Sequence, residues 1–276
     1  MEVINSIAEL RLRLASRGRI AFVPTMGNLH HGHLALVSLA RQHADCVVVS
    51  IFVNPLQFGA NEDLASYPRS LQADCEGLNQ SGADIVFTPS ESELYPVPQT
   101  VQVEPPPIAF DLCGKHRPVH FRGVCTVVAK LFNIVRPDVA IFGKKDYQQL
   151  FILREMVRQL EIPVEMLAGE TMREADGLAM SSRNNLLNPA QRMEAPRLQR
   201  ALQLVVQASR QGRRDFDAIE AQTTQYLTQL GWIVDYIAVR SASTLLTPLP
   251  DERQLLVLGA ARLGMTRLID NIEFAL

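Results

Sequence analysis

The sequence predicts an α/β chain, a parallel sheet with covering helices followed by a smaller α+β part. Three observations predict it. Residues 20–53 run apolar strand, turn, helix and second apolar strand, a βαβ unit that requires a parallel pair. Residues 138–160 repeat the strand-turn-helix pattern. After about residue 172 the alternation stops, and two helical stretches precede three strand-like runs.

The bulk properties bound the function. A chain of 276 residues with 47% hydrophobic content is long enough for a sizeable core and for two domains. A formal net charge of −2 gives no global attraction to nucleic acid or to an anionic membrane, so small anions held in local basic pockets fit better. The N-terminus lacks a basic region followed by an apolar core, and the longest apolar run, near residues 46–53, is far short of the ~20 residues that span a bilayer. A cytoplasmic protein is expected, with no nucleic-acid and no membrane partner. Four cysteines without a Cys-x-x-Cys pair suit a reducing compartment. Cys113, His116, His120 and Cys125 carry ligand-type side chains, but their spacing matches no standard zinc site, and no metal site is assigned to them.

Taken in order, residues 3–17 place Ile4, Ile7, Leu10 and Leu14 on one side of a helix stopped by Gly18. Residues 20–23 read as a buried strand, Pro24, Gly27 and Asn28 as a turn, and residues 32–44 as a helix. His30 and His33 therefore stand at a helix N-terminus, three apart, where both rings face one anion; ordinary cap or surface histidines are the plainer reading. The strand at residues 46–53 runs out into Asn54 and Gln57, at the carboxyl end where open α/β sheets place ligands. Two neutral amides suit a hydroxylated ligand, or they satisfy the backbone of a turn. Residues 59–75, with Glu62, Asp63, Tyr67, Arg69 and Asp74, form a lid or a plain surface loop.

A helix ending near residue 81 and a strand at 83–88 lead into a long excursion through Pro107. Lys115, His116, Arg117, His120 and Arg122 then gather just ahead of a helix carrying Val124, Val127, Val128, Leu131, Phe132 and Val135 on one face, a placement suited to a carboxylate or phosphate. Pro137 ends that helix, residues 138–142 form a strand, and Gly143, Lys144, Lys145 and Asp146 turn into a helix. Lys145 suits phosphate, and Asp146, also a possible N-cap, shares a face with Gln149. Two lysines at a helix start oppose its dipole, a cost that a nearby anion would offset. A strand at 162–167 precedes a polar loop whose Ser181, Ser182 and Arg183 suit a triphosphate and could close a cleft from a second domain. Asn188 and Pro189 open helices at 189–211 and 215–230, and strands follow at 232–239, 254–258 and 266–269.

Assembled in order, these blocks resemble one family over essentially the whole length. The matching stretches are Pro24-Thr-Met-Gly-Asn-Leu-His30-x-Gly-His33, Ser50-Ile-Phe-Val-Asn54-Pro-x-Gln57-Phe, Tyr67-Pro-Arg69, His120-Phe-Arg-Gly-Val124, Phe142-Gly-x-Lys145-Asp146-Tyr-Gln-Gln149-Leu, Asp176-Gly-Leu-Ala-Met180-Ser-Ser-Arg-Asn184 and Leu268-Ile-Asp-Asn271. They are similar to the pantoate–β-alanine ligases (pantothenate synthetases), nucleotidyltransferase-type enzymes with a HIGH motif. The resemblance implies a Rossmann-type parallel-sheet N-terminal domain, residues 1–171, with a smaller α+β C-terminal lid domain, residues 172–276. It implies a homodimer, and a reaction in which (R)-pantoate is adenylated by ATP, with Mg²⁺ on the phosphates, before β-alanine displaces AMP.

By motif, the resemblance puts ATP on Met26, Gly27, Asn28, Leu29, His30, His31, Gly32 and His33, on Gly143, Lys144, Lys145 and Asp146, and on Met172, Met180, Ser181, Ser182 and Arg183. His30, His33 and Lys145 take the catalytic roles, His33 as acid. Gln57, Gln149 and Asn54 take pantoate, and Arg117 and His120 help receive β-alanine. Position 144, often acidic in the family, is Lys144, and position 119, often glycine, is Val119. The Ser181-Ser-Arg-Asn184 block and the two glutamines separate this family from nucleotidyltransferases of the same fold group that act on a nucleotide or phosphopantetheine.

Overall fold

In the computed structural model, which describes residues 1–59, 64 and 67–276, the alternation produces a sheet in chain order. β1 (Glu2–Ile4) leads through α1 (Ile7–Leu14) to β2 (Ile20–Thr25), α2 (His31–Arg41) and β3 (Cys46–Ile51). Then come α3 (Leu71–Gln80), β4 (Ile85–Phe87), the short α4 (Glu91–Leu94) and α5 (Cys113–His116), the long α6 (His120–Val135), β5 (Val139–Gly143), α7 (Tyr147–Gln159) and β6 (Glu165–Gly169). Every pairing is parallel, in the spatial order β1-β4-β3-β2-β5-β6, a Rossmann-type sheet. Because β2 has β3 on one side and β5 on the other, the winding reverses there. The carboxyl ends of β2 and β5 thus flank the switch point at which such sheets bind ligands.

β2 shows why the strands read as unbroken apolar runs. Ala21 and Val23 are buried with Val37 and Ala40 of α2 and Leu78 of α3, whereas Phe22 faces the other side, its ring 6.4 Å from and edge-on to Phe132 of α6. A strand covered on both faces has no polar side, and a side chain such as Phe22 or Val23 contributes roughly 1.5–3 kcal/mol on burial.

The chain divides into two compact units, one of residues Met1–Ala109, Arg117–Lys144 and Gln149–Glu170, the other of Phe110–His116, Lys145–Gln148 and Thr171–Leu276. In the second, α8 (Pro189–Glu194), α9 (Arg197–Arg210) and α10 (Phe216–Gln229) precede an antiparallel sheet of β7 (Ile233–Ser241), β8 (Gln254–Leu263) and β9 (Thr266–Ala275). Its core joins Leu198, Leu202 and Val205 of α9 and Ile219 and Leu227 of α10 to Trp232, Ile237 and Val257.

Several expected elements change. The helix expected at residues 3–17 is a strand followed by a shorter helix: Ile4 pairs with Phe87 at the sheet edge, and Ser6 caps α1 by accepting the Glu9 N–H. The helix expected at 189–211 breaks at Ala195 and Pro196, since proline cannot continue a helix interior. The last strand of the first sheet begins after Pro163, at Glu165, because proline has no N–H for the ladder. His120 is the first residue of α6 and does not precede the helix. Of the stretch read as a lid or loop, Glu62 and Asp63 lie outside the described residues, and Asp74 belongs to α3.

Candidate active site

The turn after β2 is fixed from below. Gly27 and Asn28 adopt left-handed conformations, with φ of 80° and 51°. A Cβ at Gly27 would also stand 3.0 Å from the Ile51 side chain and 3.1 Å from an Asp74 oxygen, so both space and backbone call for glycine. Asp74, 3% exposed, accepts the Asn28 N–H on Oδ2 and the Leu29 N–H on Oδ1, both at 2.8 Å, and the Ser70 hydroxyl at 3.0 Å. A buried carboxylate that is fully hydrogen-bonded holds the backbone leading into His30.

His30 and His33 then interlock. His30 is the N-cap of α2, its Nδ1 accepting the Gly32 N–H at 3.1 Å, and His33 Nδ1 accepts the His30 N–H at 3.3 Å. The ring centroids are 4.1 Å apart. A backbone N–H can only donate, so both Nδ1 atoms are acceptors and each neutral ring carries its proton on Nε2. The pair therefore presents two N–H donors at the start of a helix, where the dipole also favours negative charge.

Asn54 and Gln57 occupy the turn after β3. Asn54 Oδ1 accepts the Leu56 N–H at 3.3 Å, while Nδ2 donates to Gln57 Oε1 at 3.1 Å and to the Gly123 carbonyl at 3.2 Å. Gln57 Nε2 reaches Met26 Sδ at 3.2 Å. The turn lies hard against α6, where a Cβ at Gly123 would be 2.3 Å from the Leu56 oxygen and 2.6 Å from Gln57 Cα. His120 supports the same turn: Nδ1 pairs with the Gln57 carbonyl and Nε2 with Arg117 Nη1, both at 3.1 Å. A carbonyl only accepts and a guanidinium only donates, so His120 is neutral with its proton on Nδ1, the opposite tautomer to His30 and His33. Val119 has φ −92°, open to any residue, so the valine adds no backbone strain. Gln149, the third residue of α7, is partly buried and belongs to the same unit as Gln57. Lys144 pairs with Glu170 at 2.6 Å; with the glutamate 77% exposed, the pair is worth little, about 0–1 kcal/mol.

Within the second unit one network gathers the remaining segments. Asn271 Nδ2 donates to the Lys145 carbonyl at 2.9 Å, and Asp270 Oδ1 accepts the Asn271 N–H at 2.7 Å. Asp270, 4% exposed, takes a two-pronged ion pair from Arg173 at 2.7 and 2.9 Å, and Arg173 also donates to the Gly177 carbonyl. Met180 N–H donates to the Met172 carbonyl at 2.9 Å, Ser181 caps the turn Ser182–Leu186 by accepting the Arg183 N–H, and Asn184 donates to Ala179. Met172 and the Met180 to Arg183 loop are thereby tied to the backbone of Lys145. Asp146 is exposed, at the end of the turn Lys144–Asp146.

The residues carried by resemblance thus fall into local groups. Met26 to His33 form one turn and helix start, Asn54, Gln57, Arg117 and His120 a second group, and Lys145 with Met172 and the serine loop a third. Asp74, Gly123 and Arg173 were not singled out as site residues; Asp270 and Asn271 carried a signal only through their motif. The cysteine and histidine pattern disperses: Cys113 Sγ lies 3.0 Å from the Tyr236 hydroxyl, and Cys125 is buried in α6 with its thiol pushed up to about 12 by burial. Among the described residues, no three His, Cys, Asp or Glu side chains come together as a metal site.

Known proteins resemble the chain over essentially its whole length. A family profile described as Pantoate-beta-alanine ligase matches residues 2–273. The pantothenate synthetase of Methylobacillus flagellatus is 63% identical over 275 residues, covering 100% of this chain and 99% of that one. The crystal structure of pantothenate synthetase from Thermus thermophilus superposes with a TM-score of 0.93 at 43% identity over 99% of each chain. The pantoate-beta-alanine ligase of Francisella tularensis, complexed with beta-gamma ATP and beta-alanine, gives 0.84 at 33% identity, covering 99% of this chain and 97% of that one.

Proposed function

The chain belongs to the pantoate-beta-alanine ligase family and is an enzyme of that activity, and we propose that it works through an acyl adenylate. A carboxylate oxygen of (R)-pantoate attacks the α-phosphorus of ATP, and the bond to the β-phosphate oxygen breaks to release pyrophosphate. The amine of β-alanine then attacks the acyl carbon of pantoyl adenylate, loses a proton, and expels AMP, leaving the amide. The reaction needs no nucleophilic side chain; it needs positioning and cations around the phosphates.

The interlocked histidine pair is the observation that supports this reading most. With Nδ1 held by backbone N–H groups, His30 and His33 offer Nε2–H to phosphate oxygens, and His33 serves as proton donor as charge develops on the leaving pyrophosphate. Met26, Gly27, Asn28, Leu29, His31 and Gly32 would line the nucleotide, together with Gly143, the Lys144 backbone, Asp146, Met172, Met180, Ser181, Ser182 and Arg183. Lys145 would neutralise phosphate charge. Gln57, Gln149 and Asn54 would hold the hydroxyls and carboxylate of pantoate. Arg117, steadied by His120, would receive the carboxylate of β-alanine. Mg²⁺ would arrive with ATP as part of the substrate, where its charge would ease attack on the phosphate. Residues 172–276 would act as a lid that protects the adenylate from water. The family resemblance supports a cytoplasmic homodimer; no helix among the described residues is long and apolar enough to cross a membrane.

The test is AMP release from ATP, pantoate and β-alanine. AMP should require both cosubstrates, and His33→Ala or Lys145→Ala should lower the rate about 10²- to 10³-fold with an unchanged circular dichroism spectrum. AMP formed without either cosubstrate, or near-normal pyrophosphate release from both variants, would overturn the reading.

A further inference from the structure

Tyr95 closes α4, and its phenol points into the turn that carries Gln57. The hydroxyl lies 2.8 Å from Asn54 Oδ1; the ring stands edge-on to Phe52 at 5.9 Å and beneath the Lys130 ammonium at 4.7 Å. The direction of each bond in this chain follows from groups that have no choice. The Leu56 N–H can only donate, so it fixes Asn54 Oδ1 on its side, and the Gly123 carbonyl can only accept, so it fixes Nδ2 on the other. Tyr95 must then donate to Asn54, and Asn54 must donate to Gln57 Oε1. Burial, helped by the charge of Glu91, raises the Tyr95 pKa well above its ordinary value, which keeps the hydroxyl in its donor form.

We propose that Tyr95 is a positioning residue for recognition of the hydroxy acid, holding Asn54, and through it the Gln57 amide, in the place where that amide meets the substrate. With Oε1 committed to Asn54 and one N–H of Nε2 directed at Met26 Sδ, the second N–H of Nε2 is what the amide has for an oxygen-rich ligand. That end suits a carboxylate or hydroxyl oxygen, whereas a flipped amide would set its own oxygen against the carboxylate. Asn54 is 1% exposed, so water cannot take the place of the tyrosine hydroxyl on its Oδ1. The inference rests on the reading above that Gln57 contacts pantoate.

Tyr95→Phe tests it, because phenylalanine keeps the ring packing on Phe52 and Lys130. The KM for pantoate should rise about five- to tenfold, the worth of one buried hydrogen bond, with kcat changed less than twofold and the KM values for ATP and β-alanine unmoved. In the Asn54→Ala background the same substitution should have no further effect on the KM for pantoate. A fall in kcat alone, an equal rise in the KM for ATP, or full additivity with Asn54→Ala would overturn the proposal. Gln57→Leu separates the two levels. If it leaves the KM for pantoate unchanged, the assignment of Gln57 to pantoate falls; if it raises that KM while Tyr95→Phe does not, the role of Tyr95 alone falls.

Discussion

One nitrogen decides what each histidine can offer. His30 and His33 accept backbone N–H groups on Nδ1 and so donate from Nε2, while His120 donates from Nδ1 to the Gln57 carbonyl and supports a turn. That the first two stand at a helix start was legible in the sequence, because capping is local and a spacing of three is written in the chain. Asp74 was not, because it reaches the Asn28 N–H from 46 residues away. Its role makes a residue-scale prediction. In Asp74→Asn one amide oxygen remains for one N–H, and the NH₂ group faces the other, donor against donor. That mismatch costs about 1–3 kcal/mol unless the turn relaxes. The KM for ATP should rise roughly tenfold as the turn before His30 loosens, with the KM for β-alanine unmoved and secondary structure retained. An unchanged KM for ATP would remove Asp74 from the site.

At the scale of elements, α6 matters through the one residue that has no side chain. Gly123 lets the helix backbone touch the turn bearing Asn54 and Gln57, and the obstacle to any Cβ is backbone, which cannot rotate away. Alanine gains about 1 kcal/mol of helix propensity over glycine, but overpacking against fixed atoms costs about 1–3 kcal/mol and displaces the turn. Gly123→Ala should therefore lower the denaturant midpoint and raise the KM for pantoate; an unchanged or raised midpoint with normal kinetics would show that the turn can yield. Element types were legible where the pattern was local, as in β2, α2 and β3. They were missed where a distant partner decided. Ile4 fits a helical stripe as well as a strand, and pairing with Phe87 settled the matter. Pro196 and Pro163 were readable signals of interruption that the apolar pattern obscured.

For the whole molecule, the alternation of strands and helices specified a parallel sheet, and its reversal at β2 puts the histidine turn and the end of β5 beside the switch point. The order of strands in space was not legible, since periodicity records which faces are buried and says nothing of which strands are neighbours. In the second unit the same limit hid the Arg173–Asp270–Asn271 network that holds the Lys145 backbone, because its members lie up to 126 residues apart. The central claim is that one fold brings a carboxylate to the α-phosphorus of ATP and then passes the activated acid to an amine. Pantoate labelled with ¹⁸O in its carboxylate tests this most directly. Attack on the α-phosphorus followed by aminolysis predicts one ¹⁸O in the phosphate of AMP and one retained in the new amide. Label appearing in inorganic phosphate with release of ADP, or AMP free of label, would contradict it.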